Sequence, residues 1–94
     1  IMNKNSLTEN MVDYFEINEA FASVPVMVHK KLNISYEKIN PFGGAISMGH
    51  PLGCSGARIV STLLTVLKEK KGKIGIASIC NGGGGATSLL VKMV

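Results

Sequence analysis

Strand-like and helix-like stretches alternate along the 94 residues. Residues 1 to 13 are polar, and Thr8 can cap a single turn over Glu9 to Met11. Tyr14-Phe15-Glu16-Ile17 is short, aromatic and β-branched, which predicts a strand. Asn18 then reads as a helix N-cap with Glu19 in the first turn, and Phe21, Val24, Met27, Val28 and Leu32 recur at helical spacing. Pro25 lacks a backbone donor and is expected to kink this helix, with Asn33 as its stop. Ser35 to Lys38 reads as a further turn.

From Ser55 the pattern sharpens. Ile59, Val60, Leu63, Leu64 and Leu67 form an i, i+3/i+4 stripe, closed by Lys68 to Lys71, with Gly72 as the expected left-handed cap. Ile74 to Cys80 is apolar on both faces and predicts a buried strand, in which Gly75 and Ala77 share a face that admits a close helix. Asn81 and Gly82 to Gly85 make a turn, and Ala86 to Val94 returns as a second, antiparallel strand. The sum is a mixed α/β layer of at least three strands with two substantial helices.

Composition adds bounds. The chain is 46% apolar and 17% charged, which fits one small globular domain with a modest core. The net charge of +4 comes partly from Lys68, Lys70, Lys71 and Lys73 around one helix end, where cations suit the helix dipole. Three phenylalanines and two tyrosines are not interleaved with a basic face, which argues against nucleic acid and leaves an anionic small molecule compatible. Two cysteines form no disulfide framework and read as reduced, hence an intracellular setting. No apolar run is long enough for a membrane helix, and no signal peptide is read. The chain opens at Ile1 with Met2 following, and reads as a piece of something longer.

Chemistry concentrates between Asn40 and Arg58, where five glycines and two prolines surround His50. So much glycine and proline suggests backbone shaped for close approach, and histidine is the residue suited to proton traffic near neutral pH. Asn18, His50 and Cys80 each stand at the end of a predicted element. Each also has a plainer reading: Asn18 as a cap, His50 as a loop residue bonding its own backbone, Cys80 as a small hydrophobe. His29 reads as part of a solvated helix face and Cys54 as structural. The histidines and cysteines lack metal-ligand spacing, and Gly82 to Gly85 lacks the Lys-Ser/Thr of a phosphate loop. Together, a thiol and an imidazole flanked by glycine N–H groups suit acyl chemistry on thioesters.

Three stretches resemble the C-terminal motifs of thiolases: Asn18-Glu19-Ala20-Phe21-Ala22, Gly43-Gly44-Ala45-Ile46-Ser47-Met48-Gly49-His50-Pro51-Leu52-Gly53, and Cys80-Asn81-Gly82-Gly83-Gly84-Gly85-Ala86. The resemblance spans residues 13 to 94, with 32 residues from Asn18 to His50 and 30 from His50 to Cys80. It implies half of a layered αβαβα fold, with residues 1–94 as a C-terminal domain. It also implies condensation of two acetyl-CoA to acetoacetyl-CoA and CoA, and the reverse thiolysis, with no bound cofactor beyond the coenzyme A thioester substrates. By motif, His50 would activate a nucleophilic cysteine and later face the thioester oxygen. Asn18 would hold a water completing that oxyanion hole. Cys80 would move the α-proton, and the Gly82 N–H would serve a second oxyanion hole. That nucleophile belongs to an N-terminal domain which this sequence does not contain, so the 94 residues alone are expected to be inactive. The resemblance further implies a homodimer or homotetramer in cytoplasm or mitochondrion. Alternatives are a degradative 3-ketoacyl-CoA thiolase, a β-ketoacyl synthase relative, and a non-catalytic coenzyme A-binding or assembly module.

Overall fold

Phe15 and Ile17 alternate with Tyr14 and Glu16 along the first strand, β1 (Tyr14–Ile17), and so send two rows of side chains to opposite faces. The computed structural model describes all residues 1–94. β1 is followed by helices α1 (Ser23–Leu32), α2 (Ala45–Met48) and α3 (Ser55–Glu69), then by strands β2 (Ile74–Cys80) and β3 (Ala86–Lys92). The sheet order is β1-β2-β3, parallel between the first pair and antiparallel between the second, with Glu16 opposite Ala77 and Ser78 opposite Ser88. This is the expected mixed α/β layer. The Asp13 carboxylate sets the register at one end, accepting from the N–H groups of Lys73 and Ile74 at 2.7 and 2.8 Å.

One face of the sheet carries Phe15, Ile17 and Ile76, packed with Val12, Ile34 and Ile39. The other receives α3 through Ile59, Leu63 and Leu67 against Ala77. The buried row of α3 is Ser55, Ile59, Leu63, Val66 and Leu67; Leu64, assigned to that row by periodicity, is exposed. Gly75 lets the helix come close, since a Cβ there would lie 2.6 Å from Leu63 Cδ1. β3 is mostly exposed, and the expected burial on both faces of β2 holds only for its first half.

Three local expectations change. α1 begins at Ser23, so Asn18 is not its cap. Pro25 therefore falls in the first turn, where no intrahelical donor is needed, and it starts the helix rather than kinking it. At the end of α3 the left-handed residue is Lys71 (φ 57°), not Gly72. Gly72 instead closes a Schellman turn, its N–H donating to Leu67 O at 2.8 Å. A Cβ on Gly72 would stand 3.0 Å from both Leu67 and Tyr14, so it is small for packing reasons.

Candidate active site

β1 and β2 run parallel, so their C-terminal ends open on the same edge of the sheet, the edge where α/β scaffolds collect chemistry. Asn18 extends β1 by one ladder bond, its N–H donating to Ser78 O at 2.9 Å. Its side chain is 1% exposed and reaches His50, with Nδ2 3.2 Å from the imidazole Nε2. On the other side of the ring, His50 Nδ1 lies 2.5 Å from Ser55 Oγ, and that hydroxyl donates to Pro51 O at 3.0 Å. A serine whose proton is spent on a carbonyl can only accept from the ring. The chain of bonds therefore puts the proton on Nδ1 and leaves the Nε2 lone pair as base and acceptor, here taking the Asn18 amide proton.

The loop that presents His50 is tied to the segment after β1 by two side chains. The Asn40 amide pairs with both backbone groups of Ile17, accepting from its N–H at 2.7 Å and donating to its carbonyl at 2.9 Å. Asn40 holds φ 46°, a left-handed position asparagine tolerates better than most residues. The Glu19 carboxylate takes the second Asn40 amide proton and the N–H of Ile46, each at 2.9 Å. It lies so close to Gly44 that a Cβ there would be 2.5 Å from its Cδ. Glu19 thus fastens α2, and through it the turn carrying His50.

Cys80 ends β2 at the same edge, exposed and free, without a hydrogen bond to His50 or Asn18. In the following turn Asn81 Oδ1 accepts from Gly83 and Gly85 at 2.9 and 3.1 Å. Gly82 is outside this clasp: it is exposed, its N–H is unclaimed, and nothing lies within 4 Å of a Cβ placed there. Cys54 is the N-cap of α3, exposed and without a side-chain cap bond. His29 corrects its reading as a solvated residue. Its Nδ1 is 2.7 Å from Ile34 O and its ring stacks on Tyr36 at 3.9 Å, which ties the last turn of α1 to the segment that follows it.

Ser55, Glu19, Asn40, Glu16 and Arg58 are the polar residues whose roles sequence reasoning missed. For Ser55 the available signal was a polar residue on the buried stripe of α3; for Glu16, a carboxylate inside an apolar strand. Glu16 is 1% exposed, and burial pushes its carboxyl up to about 7 from an ordinary value of 4.5. The Arg58 guanidinium opposes that rise and the Glu19 carboxylate adds to it. No group of three or more His, Cys, Asp or Glu side chains could hold a metal ion, and no helix is long and apolar enough to cross a membrane. A cleft of about 810 Å³ lies on the opposite sheet face among Met2, Leu7, Phe15, Ile17, Val28 and Ile76, away from His50.

The family described as "Thiolase, C-terminal domain" matches residues 1–93. Acetyl-CoA acetyltransferase 1 of Arabidopsis thaliana is 58% identical over 88 residues, which cover 94% of this chain and 21% of the relative. Acetyl-CoA acetyltransferase of Saccharomyces cerevisiae is 55% identical over 85 residues, covering 90% of this chain and 21% of the relative. The crystal structure of the Bacillus anthracis acetyl-CoA acetyltransferase superposes with a TM-score of 0.92 at 41% identity, over 97% of this chain and 23% of that one. The chain spans about a fifth of the length of the curated relatives it matches.

Proposed function

Since this chain belongs to the thiolase family as a C-terminal domain, we propose that it supplies the proton-transfer half of an acetyl-CoA acetyltransferase active site. The observation that carries the reading is the chain Asn18–His50–Ser55, which leaves a buttressed Nε2 lone pair at the sheet edge that also bears Cys80. In the first half-reaction His50 Nε2 takes the proton of a nucleophilic cysteine from the N-terminal domain. The thiolate attacks the acetyl-CoA carbonyl, the C–S bond to coenzyme A breaks, and the departing thiolate takes the Cys80 proton, leaving an imidazolium at His50 and a thiolate at Cys80. Charge on the attacked oxygen is met by the Gly82 N–H, which no intramolecular acceptor claims.

In the second half-reaction the Cys80 thiolate removes the α-proton of another acetyl-CoA. The resulting carbanion attacks the acyl-enzyme carbonyl and expels the nucleophilic thiolate, which recovers its proton from the His50 imidazolium, giving acetoacetyl-CoA. The enolate oxygen faces protonated Nε2 of His50, and a water held by Asn18 completes that oxyanion hole. Asn18 suits both protonation states of the ring: Nδ2 donates to the neutral form, and a half-turn of the amide offers Oδ1 to the imidazolium. Coenzyme A thioesters are the substrates, and no metal takes part in these steps. Residues 1–94 form one domain that works against an N-terminal domain, within a homodimer or homotetramer and in cytoplasm or mitochondrion.

The test is a chimera in which these 94 residues replace the matching segment of the Saccharomyces cerevisiae relative. Condensation of acetyl-CoA by the chimera, lost on His50→Ala, is the expected result. A folded, assembled chimera that forms no acetoacetyl-CoA overturns the reading. The isolated 94 residues are expected to show no thiolysis, because the nucleophile lies outside them.

A further inference from the structure

β1 turns three residues toward α3: Tyr14, Glu16 and, on the extension of the strand, Asn18. α3 answers with Ser55 at its start and Arg58 one turn later. Both carboxylate oxygens of Glu16 and all three guanidinium nitrogens of Arg58 are sealed from solvent and make no hydrogen bond. Asn18 Oδ1 is in the same condition. These atoms are already enclosed by the 94 residues, so no further stretch of chain can reach them without displacing what covers them. Buried charges persist only with partners, and once Glu16 ionises, near pH 7, the two groups are opposite in sign yet not in direct contact. What fits such a gap is water, which needs two to four polar neighbours, and these residues offer carboxylate acceptors, guanidinium donors and an amide oxygen. Ala77, small and directly across from Glu16, leaves the room.

We propose that Glu16 and Arg58 form a water-bridged ionic strut between β1 and the first turns of α3, and that this strut makes Glu16 a positioning residue for the Asn18–His50–Ser55 chain. The proposal rests on the acyl-transfer reading above for its kinetic consequence only. Asn18 rides on β1, two residues beyond Glu16, while Ser55 rides on α3, three residues before Arg58. The far end of α3 is seated by Leu63 on Gly75 and by Leu67, but near Ser55 the apolar seat reduces to Ile59 and the half-buried Val60. A hydrogen bond of 3.2 Å between Asn18 and His50 survives only if the near end of α3 keeps its distance from β1. The strut sets that distance. The charges acting on Glu16 are Arg58 from α3 and Glu19 from the segment after β1, and only Arg58 is attractive.

The test uses the chimera described above with Glu16→Gln, Arg58→Met, and the double change Glu16→Met with Arg58→Met. A high-resolution crystal structure of the parent chimera should show ordered water touching both the Glu16 carboxylate and the Arg58 guanidinium. A dry, direct ion pair there overturns the strut. Each variant should lose about tenfold in kcat while KM for acetyl-CoA stays within about twofold, as expected for displaced catalytic groups rather than weakened binding. The double variant should regain the parent's Tm without regaining its kcat, because an apolar pair can replace a buried ion pair in packing but not in spacing. Parental kcat in the double variant would show that the pair is structural only. If the parent chimera is inactive, the acyl-transfer reading fails while the crystallographic arm still decides the strut.

Discussion

Asn18 and His50, 32 residues apart in sequence, meet at 3.2 Å through one amide nitrogen and one imidazole nitrogen. Ser55 closes the other side of the ring, so the imidazole is held at both nitrogens by groups from two different elements. Such a ring has lost its rotational freedom before any substrate arrives, which is the preorganisation proton transfer rewards.

Removing either hold should therefore slow chemistry more than it weakens binding. Asn18→Ala and Ser55→Ala, each in the chimera, are expected to lower kcat by about 10- to 100-fold with KM for acetyl-CoA nearly unchanged. Steady-state kinetics check this. A KM rise at constant kcat would assign these residues to binding instead.

Cys80→Ser should separate the two half-reactions. Transfer of labelled acetyl from acetyl-CoA to the enzyme should continue, whereas condensation should fall by about 100-fold or more, because a hydroxyl is a far poorer acid and base partner than a thiol at neutral pH. If labelling falls as far as condensation, Cys80 has the wrong role.

Glu16 predicts a pH dependence of stability whose sign is unusual for a carboxylate. Its folded value is about 7 against 4.5 ordinarily, so between those two pH values the folded protein holds a proton that the unfolded chain releases. The stability that goes with that proton is fully present below pH 4.5 and is lost as pH rises through 7, by about 3 kcal/mol in all. Denaturant unfolding of the chimera between pH 5 and pH 8 should show this decline, and Glu16→Gln should flatten it. A slope that survives the substitution belongs to other groups.

Two glycines should respond with opposite signs to the same change. Gly75→Ala forces a methyl to 2.6 Å from Leu63 Cδ1 and should destabilise by about 1–3 kcal/mol. Gly56→Ala, in the first turn of α3 with nothing within 4 Å, should stabilise by up to about 1 kcal/mol through helix propensity. Thermal unfolding of the two variants side by side checks both. Equal effects would mean that α3 does not sit on Gly75.

Much of the fold was written in local patterns. The α3 stripe, the bounds of β1 and β2, the glycine turn and the antiparallel return of β3 depend on neighbours within a few residues, where periodicity and turn chemistry act. The errors were local too, and share a cause. Asn18 looks like a cap and Gly72 like a left-handed residue because those are the commonest uses of their types. In the fold Asn18 serves His50, while Lys71 takes the positive φ so that Gly72 can fit between Leu67 and Tyr14.

By itself, then, the sequence determined the α/β order of elements and singled out Asn18, His50, Cys80 and Gly82. Spacing and resemblance were sufficient for that. Only the tertiary structure decided that Ser55 fixes the His50 tautomer, that Glu19 and Asn40 moor its loop, and that Glu16 faces Arg58 out of reach of solvent. The physical reason is that a hydrogen bond or a buried charge is defined by approach across elements. No one-dimensional period encodes the distance between the end of a strand and the first turn of a helix some 37 residues away in the chain.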